Sequence, residues 1–492
     1  MAILPITLTK GGISDENTKG PIGSHKMSYG LDIHSPHDGI VGNGSLQAET
    51  EALSSLIVYF VSASDGSTYG FTNTGSIYAR NSSNAWNLAY SDENGEIKGA
   101  AEFGLSDGTQ YLFWATNTSL ARKLIKGTGV VPWTDATADW RTTLDPADYH
   151  TMKPAGGALQ IANNNYLAQV AYDGTFDVAA LDIHPGTSIK TVEERDDYVI
   201  LGSYKDSDEE EGHLWSWLTS AASWIQKKRI PVRGVNVLIE GEFPLLQGGN
   251  NGEIFAADFL NNIPLARLPG EAGQVNPGGA TVHDDLAMFG FYGTSDPDGR
   301  EVDGIWSYGR KQKDRGPALN YEYRMSPSSS GSTIVEVGAL KSVGGKLLAS
   351  WQTDEVTGSG DKFGVDASST TVPAQMLYES LEFDGGTPFI SKKFNTVKLA
   401  VSHFAGSYSG VTVSVKYRPD KKTSWKYAFT GTQATTYTFS STASETPDEL
   451  IFSIGDSAKI FELGLEIVPN ATQFPIFPSV TTYLDDVGQN YG

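Results

Sequence analysis

Residues 251 to 259 read NGEIFAADF, an Asn-Gly pair set directly against a run that alternates apolar with small or polar side chains. Asn-Gly suits the primed two-residue turns whose twist matches that of paired strands, so the segment predicts a β-hairpin. The same arrangement returns in DGSTYGF from 65, DGTQYLFWA from 107, DGTFDVAAL from 173 and GGKLLASW from 344. Adding the acidic loop that ends at Gly212 and the turn at Asp298 gives seven marked units. Their spacing is roughly 40 residues, with one longer step between Asp107 and Asp173, and a period of about 40 to 50 in an all-β chain is the signature of propeller blades.

The units share more than a turn. Ser-Ile-Tyr-Ala-Arg ends the first at 76–80, Ser-Leu-Ala-Arg-Lys the second at 119–123, and Leu-Ala-Arg the fifth at 265–267. A hairpin cannot bury both of its faces alone, whereas small sheets stacked in a closed ring can, leaving only short edges. The expectation is a β-propeller of about seven blades over 45–372; an irregular pair of β-sandwiches with Gly-rich hairpins is the alternative. The long step contains GVVPWTDATADWRTTLDPADYH, which reads as an inserted loop between Lys126 and Met152 without a clear strand.

Beyond about 370 the pattern changes. FISKKFNTVKLAVSHF, GVTVSVKYRPD, ELIFSIGD and AKIFELGLEIVP are longer alternating strands with turn clusters every ten or so residues, the pattern of a β-sandwich or jelly roll, expected over 378–475. Residues 1–44 are expected as an N-terminal arm and ring-closing segment, and 476–492, with little core-forming content, as a C-terminal tail.

Composition narrows the function classes. With 58 acidic against 36 basic residues and a formal net charge of −22, the chain repels phosphate backbones, and its densest basic cluster is only Lys227-Lys228-Arg229. No nucleic-acid partner is expected. The absence of cysteine removes disulfides, thiolate metal sites and cysteine nucleophiles together. Neither a signal peptide nor a membrane span is expected, since MAILPITLTKGG lacks a basic start with a long apolar core and no stretch approaches a spanning length.

The search for chemistry yields candidates that are weak one by one. His34, His37 and Asp38 have metal-like spacing but sit before a Gly-rich turn and read as a polar loop. His283 with Asp284 and Asp285 could pair a base with a carboxylate, yet no Gly-x-Ser-x-Gly elbow supplies a nucleophile. Asp296, Asp298 and Asp303 lack the closing Glu of a calcium loop and read as a solvated turn, and the five carboxylates between Asp206 and Glu211 read as an exposed loop. A glycosidase would need two carboxyls across a cleft, for which Asp173, Asp258 and Asp284 are the strand-start acids to inspect. No catalytic residue, cofactor or metal is therefore assigned. Trp133, Trp140, Trp215, Trp217 and Trp224 fall outside the clearest strands and are the candidates for assembly contacts, with sugar platforms as the alternative use of such aromatics.

Three features taken together resemble the tail-associated propeller proteins of tailed bacteriophages. They are YGLDIHSPHDGIVGNGSLQAE from Tyr29, the ring of degenerate hairpins, and the junction LYESLEFDGGTPFISKKFNTVKLAV followed by GVTVSVKYRPDKKTSWKYAF. The matching residues are Gly30, Leu31 and Asp32, then Lys392, Lys393 and Phe394, then Val413, Val415, Tyr417, Arg418, Asp420 and Trp425. The resemblance implies a non-enzymatic virion part in tail, baseplate or neck, assembled in the host cytoplasm. Its implied partners are other virion proteins, in a ring-like homo-oligomer. A carbohydrate-binding receptor propeller contacting a host surface glycan, or a glycosidase, is the rival reading.

Overall fold

Alternating runs closed by residues that tolerate positive φ become antiparallel hairpins throughout the chain. The computed structural model describes residues 2–6, 11–14, 23–37, 39–125, 131–205, 211–240, 245–257, 259, 262–268, 273–293, 302–312, 315–327, 334–354, 362–384, 389–402, 408–421, 424–431, 433–440, 448–470 and 476–486. Every regular element among them is a strand. Two compact units are formed, one by Gln47–Gly304 with Met325–Ala367, the other by Met1–Leu46, Ile305–Arg324 and Ser368–Gly492.

Seven four-stranded sheets follow one another along the chain, and their strand order makes them blades. Their first strands are Ile57–Ser62, Gly99–Gly104, Met152–Ala155, Thr187–Arg195, Val235–Ile239, Gln274–His283 and Ile334–Val343, numbered here as blades 1 to 7. Each first strand lies beside the next, and that of blade 7 lies beside that of blade 1, so the seven close a ring. The chain is a β-propeller. Its seventh sheet takes its fourth strand, Gly44–Thr50, from ahead of blade 1, which ties the two ends of the ring into one sheet.

Apolar side chains fill the spaces between blades. Tyr69, Phe71 and Ile77 of blade 1 meet Leu112 and Trp114 of blade 2, and Ile57 and Phe60 of blade 1 meet Leu348 and Val365 of blade 7. Where blades meet, backbones approach closely: a Cβ on Gly338 would stand 2.3 Å from the Ile57 carbonyl oxygen. Only glycine fits there.

The innermost strands carry a recurring irregularity. Pairing with the second strand skips Val58 in blade 1, Lys190 in blade 4, Asn236 in blade 5, residues 276–279 in blade 6 and residues 338–339 in blade 7. These are β-bulges, which twist a strand and re-aim the extra side chain. Several re-aimed groups bond across to a neighbouring blade: Lys190 Nζ donates to Asn236 Oδ1 at 2.7 Å, and Asn276 Nδ2 to the Val337 carbonyl at 2.9 Å.

The second unit contains two larger antiparallel sheets. One orders Ala2–Ile6, Val480–Asp486, Lys392–Ala400 and Glu449–Ser453; the other orders His25–Tyr29, Met376–Ser380, Phe461–Val468 and Thr412–Pro419. Phe394, Val397 and Leu399 of the first share one apolar cluster with Val413, Val415, Leu463 and Leu465 of the second. Phe394 stacks on Phe461 with ring centroids 3.6 Å apart.

Several segments differ from the sequence reading, Ala2–Ile6 of the expected arm among them. Residues 480–486, expected in a tail, form a strand between Ala2–Ile6 and Lys392–Ala400, because Val480, Thr482 and Leu484 alternate inward and are buried. Within the expected N-terminal arm, His25–Tyr29 is a strand paired with Met376–Ser380. Within the expected strandless insertion, Thr137–Arg141 is the fourth strand of blade 2, beside Leu120–Leu124. Its sequence TADWR is half exposed, as an outer strand can be, and therefore carries no apolar run to announce it.

Candidate functional site

The innermost strands of all seven blades line a channel of about 620 Å³. Its acidic and basic lining comes from Glu102, Lys153, Glu193, Glu240 and Lys341. Lys153 Nζ lies 2.8 Å from Glu193 Oε1, and the Glu194 amide also donates to that oxygen. Burial raises the Glu193 carboxyl above its ordinary range, with Lys153 opposing the shift. Burial holds the Lys341 ammonium below its ordinary range, with Lys153 adding to the effect and Glu193 opposing it. Glu193 is thus engaged in an ion pair and a backbone contact, the environment of a structural carboxylate.

Near this lining, Ser342 Oγ and His283 Nδ1 are 2.9 Å apart. Asp284 Oδ2 is 3.9 Å from His283 Nε2, beyond hydrogen-bond distance, and its side chain is 61% exposed. The carboxylate therefore does not orient the imidazole as a catalytic triad requires. The strand-start acids do not come together: Asp173 caps an outer turn by accepting from the Thr175 amide and hydroxyl, Asp284 sits on the blade 6 hairpin, and Asp258 lies outside the described residues.

The metal-like spacings lead elsewhere. His34 is buried, while His37 is exposed and Asp38 lies outside the described residues. Burial lowers the His34 imidazole to about 4, and Asp32 Oδ1 accepts from its backbone amide. Asp303 is spent on backbone, accepting from the amides of Gly293 and Val335. Asp296 and Asp298, and 206–210 of the acidic loop, lie outside the described residues. Among the described residues no group of three or more His, Asp or Glu is placed to hold a metal ion.

The five tryptophans separate by burial. Trp133 is 8% exposed and packs on its own ring, against Tyr69, stacked Tyr90 and Trp114. Trp140 has the guanidiniums of Arg122 and Arg141 over its ring, at 4.4 and 4.2 Å from the centroid, with Phe113 nearby. Trp215 and Trp217 are core residues whose indole N–H groups donate to Ser203 Oγ and the Ala221 carbonyl. They have no surface to offer a partner. Trp224 is 37% exposed, meets Trp215 edge-on, and is followed by Ile225 at 47%.

A second cavity, of about 220 Å³, lies where blades 4 and 5 meet the connections around them. Its walls include Tyr149, Lys190, Tyr204, Arg233 and Asn236. The sequence reading missed it because bulges place its residues, and a bulge leaves no mark in the apolar pattern.

Most of the residues that carry the phage-tail resemblance serve the fold. Gly30 has φ 65°, and a Cβ there would stand 2.2 Å from the Gln375 carbonyl oxygen. Val413 and Val415 are core, Arg418 pairs with buried Glu462, and Asp420 accepts from the amides of Lys459 and Ile460. Trp425 lies under the cations of Lys416 and Arg418. Lys392 is buried at the start of its strand, and Phe394 anchors the apolar cluster.

No protein-family model matches the chain, and no curated protein sequence matches it. Among solved structures, the WD40 β-propeller domain of Doa1 aligns at 10% identity with a TM-score of 0.44, covering 66% of this chain and 97% of that one. The β-propeller domain of Cps50 (Swd1) from Myceliophteria thermophila aligns at 9% identity and TM-score 0.42, covering 65% of this chain and 99% of that one. The RRP9 WD40 repeats align at 9% identity and 0.43, covering 67% and 100%. Likeness at this level says nothing of what the chain binds. The propeller rests on the seven sheets and their closure. Among the described residues no helix is long and apolar enough to cross a membrane.

Proposed function

We propose that the chain is a non-enzymatic structural component of a tailed-phage virion, in the tail, baseplate or neck, acting through protein–protein contacts. The two sheets of the second unit are read as a β-sandwich that serves the same assembly. The observation that supports this best is the surface of blade 4. Trp224 and Ile225 stand exposed immediately before its outermost strand, Gln226–Ile230, which carries Lys227, Lys228 and Arg229. Cations on an edge strand oppose indiscriminate strand pairing. An exposed apolar pair at this edge also suits a specific contact with another copy of the chain. Head-to-tail contact generates a ring where its rotation closes, and a ring-like homo-oligomer in the particle is part of the proposal.

Mass spectrometry of gradient-purified particles tests this. The chain is expected at a fixed ratio to the other tail proteins and to resist removal by salt. Its absence from washed particles overturns the proposal, as does release of oligosaccharides from host surface polysaccharide by the purified chain.

A further inference from the structure

The channel of the ring is lined by an amine that the described residues leave unpaired. Lys341 belongs to Ile334–Val343, the innermost strand of blade 7, and is half-buried in the channel lining. Lys153, on the innermost strand of blade 3, is matched with Glu193 at 2.8 Å. Among the described residues Lys341 has neither a hydrogen bond nor an ion pair of its own. Burial is the largest influence on it and disfavours its charged form; the Lys153 cation adds to that, and Glu193 opposes both. A lysine desolvated near a second cation holds more of its free-amine form than an exposed one, and the free amine is what attacks a carbonyl carbon.

The channel itself limits what can react there. Its volume of about 620 Å³ lies within the ~300–1,000 Å³ of small-molecule sites. Glu102, Glu193 and Glu240 outnumber Lys153 and Lys341 in the lining, which opposes an anionic ligand and leaves a neutral one unhindered. The innermost strands of blades 1 and 6 flank that of blade 7, and they contribute Ser62 and Thr281 to the same lining. Those hydroxyls suit a small molecule that carries a hydroxyl of its own.

We infer that Lys341 captures a small neutral hydroxyaldehyde in this channel as an imine. The lone pair on Nζ forms a bond to the carbonyl carbon, and the carbonyl oxygen receives, by way of water, the proton that the nitrogen gives up. A further proton from water lets that oxygen leave as water while the nitrogen lone pair closes the protonated C=N bond. No oxidant, reductant or cofactor enters the balance. The site captures without turnover and stands independently of the virion proposal.

Treating the full chain with glycolaldehyde and cyanoborohydride at neutral pH, and following each alkylated lysine by peptide mass spectrometry, tests it. Lys341 is expected to be labelled at least about fivefold faster than Lys346, the exposed lysine that opens the second strand of the same hairpin. Lys153→Met removes the neighbouring cation and leaves Glu193 to favour the charged form of Lys341, so it is expected to bring that ratio toward one. Propanal, which lacks the hydroxyl, is expected to give a smaller ratio than glycolaldehyde. Labelling of Lys341 no faster than that of Lys346 in the unaltered chain overturns the inference. So does a ratio left unchanged in a Lys153→Met variant that melts like the parent. An equal ratio with propanal overturns it as well, by marking a reactive amine without a site for the hydroxyl.

Discussion

Lys190 and Asn236, each the extra residue of a bulge, join the innermost strands of blades 4 and 5 through a side-chain hydrogen bond, Nζ to Oδ1 at 2.7 Å. Asn236 is 3% exposed, and removing it takes the acceptor from Lys190 Nζ and one donor each from Gln247 Oε1 and the Gly249 carbonyl. Asn236→Ala is expected to lower unfolding free energy by ~2–3 kcal/mol and Lys190→Ala by ~1 kcal/mol, with the double variant losing less than their sum. Urea denaturation of the four proteins checks the coupling. Strict additivity would mean that the bond does not join the blades energetically.

Ring closure can be probed where backbones touch. Gly338→Ala places a methyl group 2.3 Å from the Ile57 carbonyl oxygen, at the meeting of blades 7 and 1, whereas a Cβ on Gly316 would meet nothing within 4 Å. A loss of ~2 kcal/mol or more is expected for the first and a change within ~0.5 kcal/mol for the second. Thermal melts of both variants read the contrast.

Much of this ring is legible in the sequence, though out of phase. Among the described residues the marked turns fall one to a blade, but Asp65, Asp107 and Gly344 join first to second strands, Asn251 joins second to third, and Asp173 joins third to fourth. That change of phase accounts for much of the long step after Asp107. The equivalent turns of blades 4 and 6 are built on Asp196 and on Asp284 with Asp285, all at positive φ, where side chains other than glycine seldom sit. The second cavity was beyond sequence reading, because pairing across strands decides which residue is left over in a bulge, and composition does not record it.

Asp366 offers a pH test inside blade 7. It is buried and accepts from Trp351 Nε1, the Ser326 amide and Ser326 Oγ; burial pushes its carboxyl up to about 6 against the pull of those donors. A folded value above the unfolded one means that the native state binds the proton more readily between about pH 4 and 6. This residue's contribution therefore rises as pH falls through 6 and is weakest above it. Asp366→Asn removes that dependence and, by turning an amide N–H toward donors, is expected to cost ~1–3 kcal/mol. Parallel denaturation of both proteins from pH 4.5 to 7.5 measures it, and identical pH profiles would contradict the assignment.

His25 acts in the opposite sense in the second unit. Burial lowers its imidazole to about 4; Nε2 lies 2.7 Å from Ser28 Oγ, and the ring faces Tyr378. Its stabilising contribution is complete above its unfolded value near 6.5 and is lost as pH falls toward 4. His25→Gln is expected to flatten acid destabilisation of this unit between pH 6.5 and 4. Hydrogen exchange of the strands Met376–Ser380 and Phe461–Val468 at both pH values reports on that unit alone.

The virion proposal is tested most directly by a cryo-electron microscopy map of purified particles. The account predicts a seven-bladed ring at one fixed position, repeated by the particle's symmetry, with Trp224 and Ile225 of blade 4 covered by a neighbouring chain. A particle map without that ring, or with the ring present and this edge of blade 4 facing solvent in every copy, would contradict it.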